Sequence, residues 1–269
     1  MDARPIGVFD SGLGGLTAVK KLAQLLPGED IIYLGDTGRV PYGSRSPETI
    51  IKYARQDAEF LSGFDIKAMM VACNTVSSSA LGVLMNSCTM PVYGVVEDPV
   101  LTAVSTTKNG KIGVIGTEAT IRSGAYVTSL SKAAPEIEVF CAACPLFVPL
   151  VENGRTGEAD IVALTVAGEY LAPLITAGVD TLIMGCTHYP LLQGVISKIM
   201  GANVTLVDSG AETAKRVARD LANNGMMAEG NATGTLKYFV TDGIDGFSKL
   251  ASRFLEADIG GMVEQISLE

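Results

Sequence analysis

Ala68–Ser77 reads AMMVACNTVS, and Thr181–Pro190 reads TLIMGCTHYP. Each stretch runs a short apolar segment into a small residue, a cysteine and then polar side chains: Ala72-Cys73-Asn74-Thr75 in the first copy, Gly185-Cys186-Thr187-His188 in the second. A short apolar run bounded by a turn signal has the pattern of a strand buried on both faces of a parallel sheet. In open α/β sheets ligands bind beyond the carboxyl ends of such strands, which is where both cysteines fall. A helix starting directly after each would offer an anion site, and its free N–H groups and dipole would lower the thiol pKa below its ordinary value of about 8.5. Both thiols are therefore candidate bases or nucleophiles.

The segments around these two repeat a β-turn-α plan. Ile6–Phe9 predicts a strand that ends at Asp10-Ser11-Gly12-Leu13-Gly14-Gly15, before a helical pattern (Leu16, Val19, Leu22, Leu26) stopped by Pro27-Gly28. G-x-G-x-x-G fails at Thr17 and no G-K-[ST] completes a P-loop, so the glycines read as a tight turn with close backbone approach. Ile31–Leu34 predicts a second strand, ending in Gly35-Asp36-Thr37-Gly38 and the Arg39-Val40-Pro41-Tyr42-Gly43-Ser44 loop. Ser46 as cap and Pro47 at the first position predict a helix to about Ser62. One helix after Cys73 is expected to end near Asn86, then a strand at Pro91–Val96 and a helix opened by Glu97-Asp98-Pro99.

At Lys111 the plan restarts. Ile112-Gly113-Val114-Ile115-Gly116-Thr117 repeats the spacing of Ile6-Gly7-Val8-Phe9-Asp10-Ser11, and it leads to a helix, a strand at Glu138–Ala142, another helix and the second cysteine strand. Val204–Val207 is a further strand, with a helix to about Asn224. The chain thus reads as two pseudo-symmetric α/β halves, each a mainly parallel sheet flanked by helices, and they differ in that the first offers Asp10 where the second offers Gly116. In the tail, Leu236–Val240 alternates like a strand and Asp245–Leu255 looks helical, without spacing that assigns either to a half; the last dozen residues are expected to be poorly ordered.

Composition narrows the function. A chain of 269 residues with 48% hydrophobic and 18% charged residues can bury a sizeable core, and no apolar run approaches the ~18 residues of a membrane span. The N-terminus lacks the pattern of a signal peptide, so a cytoplasmic location is expected. A net charge of −9 with scattered Lys and Arg argues against nucleic acid and anionic membrane as partners. Five cysteines, an odd number, do not form a disulfide framework. Cys141-Ala142-Ala143-Cys144 has C-x-x-C spacing but no thioredoxin-like context, and reads as core packing. Only Cys186 and His188 lie close enough to suggest metal ligands, too few for a zinc site. Two thiols at two matching sites leave several chemistries open: a disulfide pair, a nucleophile with a helper, or two acid/base groups. Asp10, otherwise a helix cap, and His188, otherwise a partner of a backbone group, become possible proton partners beside a cysteine.

With these blocks in place the chain resembles the glutamate racemases of the cofactor-independent aspartate/glutamate racemase superfamily. The resemblance rests on IGVFDSGLGG at 6–15, GDTGRVPYG at 35–43, VACNT at 71–75, GVVE at 94–97, GTEAT at 116–120, PLVE at 149–152 and GCTHYP at 185–190. It implies two domains, residues 1–97 plus 210–269 and residues 98–209, with the active site in the cleft between them. It further implies interconversion of L- and D-glutamate without a cofactor, for peptidoglycan, in a homodimer whose partner is otherwise only the small-molecule substrate. Cys73 and Cys186 would be the two acid/base groups, Asp10 assisting Cys73 and His188 assisting Cys186, with Asp36 and Glu152 supporting from behind. Substrate contacts would come from Asp10, Ser11, Pro41, Tyr42, Gly43, Asn74, Thr75, Thr187 and His188, so that backbone N–H groups, hydroxyls and the Asn74 amide would hold the carboxylates without Lys or Arg. The N-terminal extension of members activated by a wall precursor is not matched, so that regulation is not expected. The residues alone also allow a racemase for aspartate, or a non-catalytic two-lobed protein that binds a small anion.

Overall fold

The computed structural model describes residues 1–228, 233–259 and 261–268. The first part of the chain forms β1 (Ile6–Asp10), α1 (Leu16–Leu25), β2 (Ile31–Gly35), α2 (Pro47–Ser62), β3 (Ala68–Val71), α3 (Asn74–Ser79), α4 (Leu81–Ser87), β4 (Val92–Gly94) and α5 (Glu97–Thr106). A second run follows with β5 (Lys111–Gly116), α6 (Glu118–Ser123), α7 (Ala125–Ala133), β6 (Glu138–Ala143), α8 (Phe147–Glu152), α9 (Ile161–Ala177), β7 (Thr181–Gly185), α10 (Gln193–Met200), β8 (Thr205–Asp208) and α11 (Ser209–Asn223). The chain closes with β9 (Leu236–Val240), α12 (Ile244–Leu255) and β10 (Val263–Gln265).

Among the described residues the strands form two sheets, one ordered β10-β9-β2-β1-β3-β4 and the other β6-β5-β7-β8, and each pairing is parallel. Parallel strands covered on both faces need apolar side chains on both, which is why β1, β2, β3 and β7 are buried throughout. The order β2-β1-β3-β4 recurs as β6-β5-β7-β8, so the repeat seen in sequence is a repeat of topology. In register, Phe9 lies beside Leu34 and Val71, and Gly116 beside Ala143 and Gly185. Cys73 and Cys186 therefore leave equivalent strands at equivalent ends.

Local signals set the helix boundaries. Ser46 Oγ accepts the Thr49 N–H at 3.4 Å with Pro47 behind it, the cap expected for α2. The single helix expected after Cys73 is instead two, broken at Ala80 with φ −128°. Ser77, three residues before the break, ties α3 to the sheet: its Oγ donates to Val71 O at 2.9 Å and accepts the Val95 N–H at 3.2 Å.

The tail joins the first sheet. β9 pairs with β2 and β10 with β9, Phe247 of α12 stacks on Tyr33 with ring centroids 6.4 Å apart, and the Ile266 N–H donates to Val240 O at 2.8 Å. The loose order expected of the last dozen residues is corrected for 263–266, because the unpaired edge of β9 offers these residues a hydrogen-bonding partner; residues 260 and 269 lie outside the described residues. No helix among the described residues is long and apolar enough to cross a membrane.

Candidate active site

Beyond the carboxyl ends of β1, β3 and β7 lies a cavity of about 340 Å³. Its wall carries Ser11, Pro41, Tyr42, Gly43, Cys73, Asn74 and Thr75 from segments of the first sheet, and Thr117, Glu118, Glu152, Cys186, Thr187 and His188 from segments of the second. Both repeated thiols thus face one space. Among the described residues no Lys or Arg lines it.

Cys73 is the residue before α3, so the first N–H groups of that helix open toward the cavity without intrahelical acceptors. The Cys73 sulfur lies 3.5 Å from Ser11 Oγ and receives the N–H groups of Val76 and Ser11. Cys186 differs from expectation: a short 3₁₀ turn, Tyr189–Leu192, follows it, and the regular helix α10 starts only at Gln193. The His188 N–H nevertheless points at the Cys186 sulfur. The lowered thiol pKa expected from these N–H groups is corrected. Cys73 and Cys186 are 5% and 6% exposed, and loss of water outweighs the dipoles. Burial, with the Asp10 carboxyl adding to it, pushes Cys73 up to about 12, and burial likewise raises Cys186.

Asp10 sits behind the wall and does not line the cavity. Its Oδ2 accepts the Gly12 N–H at 3.0 Å and its Oδ1 the Thr187 hydroxyl at 3.4 Å, while burial raises its pKa against the pull of His188. His188 Nε2 lies 3.1 Å from Glu152 Oε1, and its ring meets Phe254 edge-on at 5.6 Å. Glu152, expected behind the site, is on the cavity wall, and Asp36 stands behind the wall, where it accepts the Tyr42 hydroxyl.

The halves are stitched together beneath the thiols. Thr17 Oγ1 donates to Thr187 O at 2.9 Å. Gly14 lets the β1–α1 turn touch the Cys186 segment, since a Cβ there would overlap Thr187 Oγ1 and His188 Nδ1. The Asn74 amide, expected to hold a carboxylate, has its nitrogen engaged by Tyr126 Oη at 2.7 Å and Ser209 Oγ at 3.1 Å. A buried amide satisfies its donors with the fixed partners nearest to it, so this nitrogen is committed to the protein's own oxygens.

Sequence reasoning missed Thr117, Thr120, Tyr126 and Ser209. Thr75, Thr117 and Thr120 form a hydroxyl cluster, with Thr117 Oγ1 3.0 Å from each of the others. A signal was present, since Thr117 stands in the repeat where Ser11 stands in the first half. Tyr126 and Ser209 gave none, because they belong to α7 and α11, far along the chain, and meet Asn74 only in the folded protein. The core reading of the C-x-x-C pair holds for buried Cys144; Cys141 is exposed, as an outward side chain of the edge strand β6. No group of three or more His, Cys, Asp or Glu that could hold a metal ion converges among the described residues.

The family model of Asp/Glu/hydantoin racemases matches residues 6–217. A curated glutamate racemase of Geobacter metallireducens is 49% identical over 269 residues, covering 100% of this chain and 98% of the relative. Among solved structures, a glutamate racemase isoform from Bacillus anthracis superposes with a TM-score of 0.95 at 38% identity, covering 100% of this chain and 99% of the other. A glutamate racemase from Francisella tularensis in complex with D-glutamate superposes with a TM-score of 0.92 at 39% identity, with the same coverage.

Proposed function

This chain belongs to the Asp/Glu/hydantoin racemase family, and from that premise we propose that it interconverts L- and D-glutamate, with Cys73 and Cys186 as a two-base pair. The observation that carries the proposal is the single cavity lined by two thiols from equivalent strand ends of two like sheets. Inverting a stereocentre by proton transfer needs one deprotonated and one protonated group on opposite faces of the α-carbon, and two pseudo-symmetric sites supply that arrangement.

In the proposed reaction the thiolate of one cysteine takes the α-hydrogen as a proton, leaving the electron pair on the α-carbon. The other thiol then delivers its proton to the opposite face, and the two cysteines end with exchanged protonation states. By family resemblance Cys73 abstracts from D-glutamate and Cys186 from L-glutamate. Asp10 serves the Cys73 side, and His188 with Glu152 serves the Cys186 side. Burial favours the neutral form of both thiols, and the α-ammonium of the substrate supplies the positive charge that favours one thiolate. With no cation on the wall, the carboxylates are held by Ser11, Thr75, Thr117 and Thr187 hydroxyls and by backbone N–H groups at Gly43 and at the start of α3. Domains of residues 1–97 plus 210–269 and 98–209, a homodimer, a cytoplasmic location and supply of D-glutamate to peptidoglycan complete the proposal.

Circular dichroism of L- and of D-glutamate with purified protein and no added cofactor tests it, with L-aspartate in parallel. Both glutamate signals should decay to zero, aspartate should persist, and Cys73→Ser and Cys186→Ser should each abolish the decay. In deuterated water, solvent deuterium should enter the product before the recovered substrate. Decay of aspartate alone, or racemisation by the double Cys→Ser variant, overturns the proposal.

A further inference from the structure

Beneath the Pro41-Tyr42-Gly43 wall lies a buried polar cluster in which one cation faces two carboxyl groups. Arg39 Nε donates to Asp36 Oδ2 at 2.6 Å, Nη2 to Asp57 Oδ1 at 2.9 Å and Nη1 to Gln56 Oε1 at 2.5 Å. Both carboxyl side chains are 0% exposed. The Tyr42 hydroxyl lies between them, closest to Asp36 Oδ2 and 3.2 Å from Asp57 Oδ2. Asp36 also accepts from Thr241 Oγ1 at 2.8 Å, and Gln56 Nε2 donates to Leu268 O at 2.9 Å, so Thr241 and Leu268 brace the cluster.

Counting donors settles where a proton must be. A phenol has one O–H, and Tyr42 gives it to the nearer acceptor, Asp36. Asp57 Oδ2 then faces a phenol oxygen with no hydrogen between them, and two bare oxygens at this distance in a dry interior repel. The contact is favourable only if Asp57 supplies the hydrogen. One proton on Asp57 also leaves one negative charge to match the single Arg39 charge, which a buried cluster requires.

We infer that Asp57 is a protonated positioning residue whose carboxyl O–H donates to Tyr42 Oη, completing a relay from Asp57 through Tyr42 to Asp36 and Arg39 that fixes the Pro41-Tyr42-Gly43 wall of the cavity. Burial and the facing Asp36 hold the Asp57 carboxyl well above the usual carboxylate range, with Arg39 and Tyr42 opposing and Asp10 adding from β1. Tyr53 of α2, a further titratable neighbour, packs its ring 4.2 Å from the Arg39 guanidinium carbon and 5.4 Å from the Tyr42 ring. The wall has little slack, since a Cβ at Gly43 would meet Thr117 Cβ at 3.0 Å. Asp57 does not line the cavity, so its action is on substrate binding and passes through Tyr42.

The kinetic part of the test rests on the glutamate reading above, and the spectroscopic part does not. Infrared difference spectra of wild type against Asp57→Asn at neutral pH should show the carbonyl stretch of a protonated carboxyl group in wild type only. In kinetics, Asp57→Asn keeps an N–H where the O–H stood and should hold KM for glutamate within about twofold, whereas Asp57→Ala loses the donor and should raise KM about tenfold with kcat little changed. Wild-type KM should climb at alkaline pH as the proton is lost, and Asp57→Asn should remove the part of that climb due to Asp57. Absence of the protonated-carboxyl band overturns the inference, as does an Asp57→Asn variant as impaired in KM as Asp57→Ala. If glutamate is not turned over at all, the infrared band still decides the state of Asp57, and if Asp57→Ala does not fold, Asp57→Asn and the band suffice.

Discussion

The buried state of Cys73 can be measured by alkylating it. Thiolate is the reactive form, and at pH 8 an ordinary cysteine of pKa about 8.5 is about one-quarter thiolate. A thiol pushed up to about 12 is ionised about once in ten thousand molecules at that pH. Without added glutamate, iodoacetamide should therefore modify Cys73 about two-thousandfold more slowly than a free cysteine, corresponding to roughly 5 kcal/mol against the thiolate. The rate should rise about tenfold per pH unit between pH 7 and 10, since the thiolate fraction does so below the pKa. Exposed Cys141 should be modified first. Because the Asp10 carboxyl is the second cause of the high value, Asp10→Asn should accelerate Cys73. Mass mapping of each cysteine peptide over time gives all these rates. Cys73 modified as fast as Cys141 at pH 8, a flat pH profile, or slowing by Asp10→Asn would refute the reasoning.

Gly14→Ala places a methyl group against Thr187 Oγ1 and His188 Nδ1, and it should cost about 1–3 kcal/mol of stability along with turnover, read from thermal melts and circular dichroism. His188→Asn and Glu152→Gln should slow the direction in which Cys186 takes the proton by about 1–3 kcal/mol of barrier, and the reverse direction less, as initial rates from each enantiomer will show. Asp57→Asn should raise the melting temperature at pH 8 but not at pH 4. A carboxyl held above its unfolded value keeps a proton that the unfolded chain releases, so its contribution is full below the ordinary carboxylate range and is lost as pH rises toward the folded value.

What the sequence disclosed follows from what is local. The Ser46-Pro47 cap, the paired cysteine strands and the Gly-rich turn after Asp10 are each set by neighbours within a few residues, and the structure has them. The thiol pKa was misread because the sign of the effect depends on water excluded by both sheets together, while spacing shows only the N–H groups that act against it. Asn74 was misjudged for a related reason, since Tyr126 and Ser209 reach it from 52 and 135 residues away. Asp57 gave no signal, because an Asp within an amphipathic helix has the pattern of a solvated side chain until Asp36 and Arg39 are seen across from it.

The attachment of β9 to β2 bears on how the chain is made. Leu236–Val240 pairs with Ile31–Gly35, a separation of 205 residues for each aligned pair. During synthesis at about 5–20 residues per second, the apolar strand Ile31–Gly35 emerges some 10–40 s before its partner. Throughout that interval the nascent first sheet carries an open edge of unpaired N–H and C=O groups, the kind of template on which chains aggregate. A ribosome that stalls after the second cysteine segment has delivered both thiols but neither β9 nor β10, so truncated products of this gene should partition to chaperones or inclusion bodies although every residue assigned to the chemistry has been translated.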